Sequence, residues 1–283
     1  MSAGDVKAFL SQHGLLARRD LGQNFLTDDA LAERLIALSG VEPGDRVIEI
    51  GTGLGTLTRA IAKRAERVVT IEIDAGIVRA LREDAALPEN VELIHGDALE
   101  IDLAELVSDF GRSARLVANL PYYVSALMLR RFLDLRAVLV DWSVMLQSEV
   151  ATRLLASPGS RDYSSLSVLH GLTVEFSKSM ELSPNCFFPV PGVHSTFVRV
   201  SPLKKPLVGA DELPQVERVV RAAFAKRRKT LVNSLRADAL GASQSTDALK
   251  AALARTGIDA LARAESLEPA QLLALARELR SLG

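Results

Sequence analysis

The sequence contains one cysteine, one tryptophan and almost no net charge, and these scarcities narrow what the protein can be. The lone cysteine, Cys186, excludes an internal disulfide and a zinc site built on cysteine pairs. No stretch of about eighteen apolar residues occurs, and the first twenty residues are polar and charged, so we expect neither a membrane span nor a signal peptide. We therefore expect a cytoplasmic protein. The four histidines are scattered without ligand spacing, so we predict no metal site.

The sequence also has no excess of positive or negative charge, since it contains 34 basic and 35 acidic residues. Proteins that bind nucleic acid freely are usually basic, so a nucleic-acid partner would have to meet a local patch of positive charge. The densest such patch is the run from Lys226 to Lys229. Contact with phosphates and simple solvent exposure are both open interpretations of this run. The pair Arg130 and Arg131 is a weaker candidate of the same kind.

The 283 residues are enough for two domains. Between residues 45 and 146 short β-branched runs alternate with helical patterns, which is typical of a parallel sheet covered by helices. Two further strand patterns follow, and from Ser201 onward the sequence is rich in proline, glycine and charge before amphipathic helical patterns begin. We therefore predict a doubly wound, Rossmann-like α/β domain over residues 1–202 and a small all-α domain over residues 203–283.

The segment EIGTGLGTLT places three glycines where a predicted strand turns into a helix. Gly51 and Gly53 let the backbone approach a ligand without obstruction by a Cβ atom. A dinucleotide-binding loop would have glycine or alanine where Thr56 stands, and Glu49 precedes the loop as acidic residues do in methyltransferases. The loop therefore favours S-adenosyl-L-methionine over a nicotinamide cofactor.

Two carboxylates end the next two predicted strands. Glu72 can accept hydrogen bonds from both ribose hydroxyls of a cofactor, and Asp97 can accept one from its adenine amino group. Ligands of open α/β sheets bind at the carboxyl ends of successive parallel strands. A tight turn and helix caps would explain each feature alone, but their combination in this order predicts a cofactor site.

The fourth predicted strand ends in Asn119-Leu120-Pro121-Tyr122. An adenine amino nitrogen is a poor nucleophile because its lone pair is delocalised into the ring. The Asn119 side-chain oxygen and the Leu120 backbone carbonyl can accept its two protons, aim the lone pair at a sulfonium methyl group and stabilise the developing charge. Tyr122 offers a ring on which a flipped-out adenine can stack. An ordinary turn is the alternative, which the motifs upstream disfavour.

With these motifs the chain resembles the ribosomal RNA adenine dimethyltransferase family, and specifically its bacterial small-subunit branch. LGQNFL is similar to the family's amino-terminal signature, EIGTGLGTLT to its cofactor loop, NLPY to its catalytic turn, and FFPVPGVHS and FAKRRKTLVNSL to its later signatures. The resemblance extends from about Leu21 to Leu235. It implies a methyltransferase domain whose cofactor is S-adenosyl-L-methionine. The residues that it places at the cofactor are Asn24, Leu26, Gly51, Gly53, Glu72, Asp97 and Asn119.

The same resemblance implies the substrate. Two adjacent adenines in a terminal hairpin loop of small-subunit ribosomal RNA each receive two methyl groups, late in subunit assembly. An unpaired loop suits chemistry on bases that leave the stack. Phe187 then offers a second aromatic face to the adenine, with core packing as the alternative.

The implied partner is small-subunit ribosomal RNA within a pre-assembled particle. The basic run would contact this RNA through Lys226, Arg227, Arg228 and Lys229. The sequence has no heptad pattern, so we expect a monomer.

Three other functions stay open at this point. The large-subunit branch of the family, which protects bacteria from macrolides, carries similar motifs, but its members tend to be strongly basic and usually have isoleucine where Leu120 stands. A non-catalytic nucleic-acid-binding relative would not need Asn119, Tyr122 and the cofactor carboxylates. A small-molecule methyltransferase is disfavoured by the basic run and the helical appendage.

Overall fold

The strands and helices follow the alternation that the sequence predicts. The computed structural model describes residues 1–111, 114–121, 124–238 and 244–280. Its strands are β1 (Phe25–Leu26), β2 (Arg46–Ile50), β3 (Arg67–Glu72), β4 (Val91–His95), β5 (Ala114–Asn119), β6 (Asp141–Gln147), β7 (Val174–Leu182), β8 (Phe187–Phe188) and β9 (Ser195–Pro202). Its helices are α1 (Ala3–Gln12), α2 (Asp29–Ser39), α3 (Thr56–Ala62), α4 (Ala75–Glu83), α5 (Leu103–Phe110), α6 (Ser125–Asp134), α7 (Ser148–Leu154), α8 (Ser165–Gly171), α9 (Leu213–Phe224), α10 (Leu231–Arg236), α11 (Thr246–Arg255) and α12 (Pro269–Arg280).

Seven strands form the central sheet in the order β4-β3-β2-β5-β6-β9-β7. The strands from β2 to β6 pair in parallel, and β9 runs antiparallel to β6. Nearly every position of β2 and β3 is buried, so both faces of the sheet are covered there. The predicted doubly wound, Rossmann-like α/β domain is confirmed.

The strand order reverses between β2 and β5. From β2 the chain builds outward through β3 to β4, and it then returns to place β5 on the other side of β2. Ile50 at the end of β2 lies opposite Ala118 of β5, so Gly51 and Asn119 leave the sheet side by side. This switch point is where open α/β sheets bind their ligands.

A two-stranded antiparallel ribbon brings two distant signatures together. Phe25 of β1 pairs with Phe188 of β8, and Leu26 pairs with Phe187. The backbone N–H of Thr27 extends the pairing by donating to the Cys186 carbonyl at 3.0 Å. The LGQNFL segment is therefore held against the FFPVPG segment.

The chain divides into two compact units. The first contains Met1–Ser148 with Phe176–Pro202, and the second contains Glu149–Glu175 with Leu203–Gly283. The predicted boundary after residue 202 coincides with one of these divisions. Residues 149–175, which the prediction assigned to the first domain, group with the second unit instead.

A tyrosine explains why this segment groups with the second unit. The Tyr163 ring packs edge-on against Phe224 with centroids 5.7 Å apart, and its hydroxyl donates to the Leu267 carbonyl at 3.0 Å. The predicted helical character of the carboxyl-terminal region is confirmed by α9 to α12. No helix within the described ranges is long and apolar enough to cross a bilayer.

Candidate active site

A pocket of about 170 Å³ opens at the carboxyl ends of β2, β3, β4 and β5. Its wall also includes the stretch before β1, the turn after β5 and the β8 strand. The predicted residues that line it are Asn24, Leu26, Gly51, Gly53, Glu72, Asp97, Asn119, Leu120 and Phe187. The structure thus brings together nine positions that the sequence spreads over more than half of the chain. Tyr122 lies outside the described residues.

Gly51 stands where the glycine loop approaches the turn that begins at Asn119, after β5. Its φ is +86°, and a Cβ atom built on it would lie 3.2 Å from the Asn119 backbone oxygen. Its N–H donates to the Ile71 carbonyl of β3 at 2.9 Å. A side chain here would be strained and would also press against the strand end that carries Asn119.

Glu72 ends β3 with a side chain that is almost completely buried. One carboxylate oxygen accepts from the Gly53 N–H at 2.8 Å, and the other accepts from the Asp74 N–H at 3.0 Å. Burial raises the pKa of the Glu72 carboxyl, and these two N–H donors oppose that shift. Each oxygen retains a second lone pair, so the fixed carboxylate can accept from two neighbouring hydroxyls.

Glu49 lies beneath the glycine loop and is fully buried. Its Oε2 accepts from the hydroxyls of Thr58 in α3 and Thr70 in β3, each at 2.6 Å. Its Oε1 has no hydrogen-bond partner among the described residues. Burial raises the pKa of the Glu49 carboxyl to about 8, so the group is protonated near neutral pH. The sequence analysis noted Glu49 as the acidic residue before the loop. It did not predict that Glu49 would join α3 to β3 through the hydroxyls of Thr58 and Thr70.

Asp97 follows β4 in a short loop that lines the pocket. Its Oδ1 accepts from the Leu99 N–H at 2.8 Å. The loop is held from outside by Arg131 of α6, whose guanidinium donates to the carbonyls of Ala98 and Ile101. These two hydrogen bonds give Arg131 a role in fixing the Asp97 loop, which the sequence did not predict. Its neighbour Arg130 pairs with Asp134 one helical turn away.

The Asn119 side chain has a defined orientation at the end of β5. Its Nδ2 donates to the Asn24 backbone carbonyl at 3.3 Å. The Asn24 side chain in turn donates to the Gly22 carbonyl at 3.0 Å. With its nitrogen engaged in this way, Asn119 presents Oδ1 as an acceptor beside the Leu120 turn.

Leu26 and Phe187 face each other in the β1–β8 ribbon. Both are buried in a hydrophobic cluster that includes Leu35 and Ile61, and both also line the pocket. Core packing and a place in the pocket wall are therefore compatible for Phe187.

The basic run lies in the second unit, between α9 and α10, and its four side chains are exposed. Arg227 donates to the Arg161 carbonyl and lies 3.6 Å from a Glu265 carboxylate oxygen. Among the described residues, no ion pair engages Lys226, Arg228 or Lys229. These three cations are the ones available to an external phosphate.

The side chains that line the pocket fit S-adenosyl-L-methionine. No lysine or arginine is present among the described residues that line it, so a pyrophosphate would find no cationic partner there. Two carboxylates at the ends of β3 and β4 suit a ribose, an adenine amino group and a sulfonium charge. Gly51 lines the pocket without a side chain, so no Cβ atom at this position takes up space beside the ligand. Within the described part of the chain, no cluster of three or more histidine, cysteine or acidic side chains has the arrangement of a metal site.

Comparisons with known proteins show which chains are similar to this one. Residues 14–281 match the family model described as ribosomal RNA adenine dimethylase. The chain is 41% identical over 271 residues to the ribosomal RNA small subunit methyltransferase A of Geobacter metallireducens, which covers 95% of this chain and 98% of that one. Identity to the protein of the same name from Pelotomaculum thermopropionicum is 40% over 286 residues, covering 98% and 96% of the two chains.

Solved structures share the fold. A dimethyladenosine transferase from Plasmodium falciparum superposes with a TM-score of 0.76 at 24% identity, over 91% of this chain and 98% of that one. The 23S rRNA methyltransferase ErmE superposes with a TM-score of 0.66 at 25% identity, over 91% and 100% of the two chains.

Proposed function

Because the chain belongs to the ribosomal RNA adenine dimethylase family, we propose that it transfers methyl groups from S-adenosyl-L-methionine to two adjacent adenines in a terminal hairpin loop of small-subunit ribosomal RNA. Relatives at 40% and 41% identity carry small-subunit names, which supports this substrate over the large-subunit alternative. The presence of Glu72, Asp97 and Asn119 in one pocket among the described residues disfavours a non-catalytic relative.

The observation that carries the proposal is the hydrogen bond from Asn119 Nδ2 to the Asn24 carbonyl. It fixes which end of the amide is the acceptor. An amide with its nitrogen toward the substrate would repel an amino group, whereas the observed orientation presents an oxygen.

The cofactor, when bound, supplies an electrophilic methyl group on a sulfonium centre. Asn119 Oδ1 and the Leu120 carbonyl oxygen accept hydrogen bonds from the N–H groups of the adenine N6 amino group and hold its lone pair toward that methyl group. As the new N–C bond forms, the bond between the methyl carbon and sulfur would break and its electron pair would stay on sulfur, which leaves as a neutral thioether. The positive charge passes to N6, where the same two oxygens stabilise it. The resulting ammonium is acidic and releases its proton to water, so no side-chain base is needed.

The other pocket residues position the two reactants. Glu72 would hold the cofactor ribose and Asp97 its adenine, while Asn24, Leu26, Gly51 and Gly53 form the surrounding wall. Phe187 would stack against the target base, and Tyr122 is proposed for the opposite face from its place in the NLPY motif.

The RNA partner is proposed to be a pre-assembled small subunit on which a monomer of this protein acts in the cytoplasm. Lys226, Arg228 and Lys229 would contact backbone phosphates, since they are exposed and not engaged in ion pairs among the described residues. Arg227 would act mainly as an anchor for the loop that presents them.

Methyl transfer to three substrates compared side by side tests the proposal. Immature small subunits, naked small-subunit RNA and large subunits are incubated with labelled cofactor, and modified adenines are mapped by primer extension. We expect two adjacent dimethylated adenines in small subunits. Modification confined to large subunits would contradict the proposal, as would the absence of any labelled RNA.

A further inference from the structure

Gln23, which precedes Asn24, uses both ends of its side-chain amide. Its Nε2 donates to Asp74 Oδ2 at 2.8 Å, and its Oε1 accepts from the Arg18 backbone N–H at 2.8 Å. The Gln23 N–H also donates to the Arg18 carbonyl at 3.2 Å. These bonds close the segment from Arg18 to Gln23 on itself and attach it to the residue that precedes α4.

Asp74 is buried and has little acceptor capacity left for other partners. Its Oδ1 caps α4 by accepting from the N–H groups of Gly76 and Ile77. Its own N–H donates to Glu72 Oε1 at 3.0 Å. The remaining oxygen, Oδ2, is the one that Gln23 satisfies, and a buried carboxylate oxygen without a donor would be costly.

Gln23 is also adjacent in the chain to the residue that binds the Asn119 amide. Asn24, the next residue in the chain, accepts through its backbone carbonyl from Asn119 Nδ2. A chain of contacts therefore runs from Glu72 through Asp74 and Gln23 to Asn24 and Asn119. All five residues belong to the first unit, and all except Asp74 line the pocket.

We infer that Gln23 is a positioning residue that couples the carboxylate for the cofactor ribose, Glu72, to the orientation of the Asn119 amide. The Asn24 carbonyl belongs to the peptide that joins Asn24 to Phe25, where pairing with β8 begins, so the Gln23 bonds fix this peptide from its amino-terminal side. If that peptide turns, the Asn24 carbonyl leaves Asn119 Nδ2 and the acceptor oxygen loses its fixed direction. The catalytic part of this inference rests on the proposed adenine methylation.

A reversal of hydrogen-bond polarity tests the inference. In Gln23→Glu the introduced carboxylate is repelled by Asp74, so the side chain moves away and its hydrogen bond from the Arg18 N–H is weakened. The double variant combines Gln23→Glu with Asp74→Asn, so that the amide introduced in place of Asp74 can donate to the introduced carboxylate while its oxygen continues to cap α4. Gln12→Glu is the matched control, because Gln12 is exposed at the end of α1.

Two measurements are made on each full-length variant. Steady-state methylation of small subunits gives kcat and KM, and hydrogen exchange of the cofactor-free protein gives the protection of residues 18–26. For Gln23→Glu we expect kcat to fall about tenfold with KM for RNA unchanged within about twofold, and faster exchange of the Arg18 amide. The double variant should regain most of both properties, and Gln12→Glu should match the parent protein.

The inference is overturned if Gln23→Glu matches the parent in kcat and exchange. It is also overturned if the double variant stays as impaired as the single one, because the partner of Gln23 would then not be Asp74. Should the parent protein methylate no ribosomal RNA, the proposed function fails. The exchange data would still decide whether the Gln23–Asp74 hydrogen bond orders the segment.

Discussion

A Cβ atom on Gly51 would lie 3.2 Å from the backbone oxygen of Asn119, so the glycine loop and the catalytic turn are in contact at the point where the strand order reverses. The cofactor motif and the amino-group motif therefore belong to one site. A change in either segment acts on the other.

Replacement of Gly51 by alanine should impair both cofactor binding and catalysis. The positive φ of +86° costs about 1 kcal/mol or more for a side chain, and the contact with Asn119 adds displacement of the catalytic turn. We expect affinity for S-adenosylhomocysteine, measured by calorimetry, to fall at least about tenfold.

The control is Gly44→Ala, whose φ is +93° but whose Cβ would meet no atom within 4 Å. It should show the backbone cost in thermal unfolding without the loss of affinity. Equal affinity losses in the two variants would mean that backbone strain alone is responsible.

Glu49 predicts a pH dependence of stability. Its native pKa of about 8 lies above the ordinary value of 4.5, so between these pH values the native state holds a proton that the unfolded state has released. The free energy of unfolding should therefore decrease with rising pH across this window, by at most about 1.4 kcal/mol per pH unit from this group. Glu49→Gln should remove that contribution.

Urea unfolding at a series of pH values measures this effect. The exposed carboxylate of Glu89 provides the control, since Glu89→Gln should leave the slope of the parent protein unchanged. If Glu49→Gln also retains the parent slope, the buried carboxyl does not titrate as described.

Arg131 should affect cofactor affinity rather than RNA binding. Its guanidinium holds two carbonyls of the loop that carries Asp97, so Arg131→Gln frees that loop. We expect S-adenosylhomocysteine affinity to fall about tenfold, the scale for loss of charge-assisted hydrogen bonds. Arg130→Gln removes an equal charge next to it and should have little effect on either ligand. A selective loss of RNA affinity in Arg131→Gln would restore the interpretation drawn from sequence.

The basic run predicts a salt-dependent contact with RNA. Removal of Arg228 and Lys229 together by alanine should lower RNA affinity and reduce the slope of log affinity against log salt by about two. Filter binding at several salt concentrations measures the slope. Lys250→Ala removes an exposed cation of α11 and serves as the control. An unchanged slope in the double variant would exclude the run from the RNA contact.

The sequence was sufficient to predict the site residues that lie at the ends of strands. Gly51, Glu72, Asp97 and Asn119 each stand at or just after the end of a strand, and parallel pairing necessarily brings such ends together. The strands could be recognised in the sequence because both faces of the sheet are covered, which makes their residues almost continuously apolar.

Contacts between segments that are distant in the chain could not be predicted from the sequence. The Gln23–Asp74 bond joins residues from separate elements, and Arg131 reaches a loop some thirty residues earlier in the chain. The local sequence of residues 149–175 does not show which core receives its buried side chains, so the grouping of this segment with the second unit was missed. The position of Gln23 beside Asn24 in LGQNFL was the one available signal for its role.

We propose that Asn119 acts on the adenine through its amide oxygen and not by building the cofactor pocket. The most direct test is Asn119→Ala, assayed for methyl transfer to small subunits and for S-adenosylhomocysteine binding. We expect transfer to fall by at least about a hundredfold while the dissociation constant changes by less than about fivefold. Retained transfer would contradict the account, and so would a loss of transfer fully explained by lost cofactor binding.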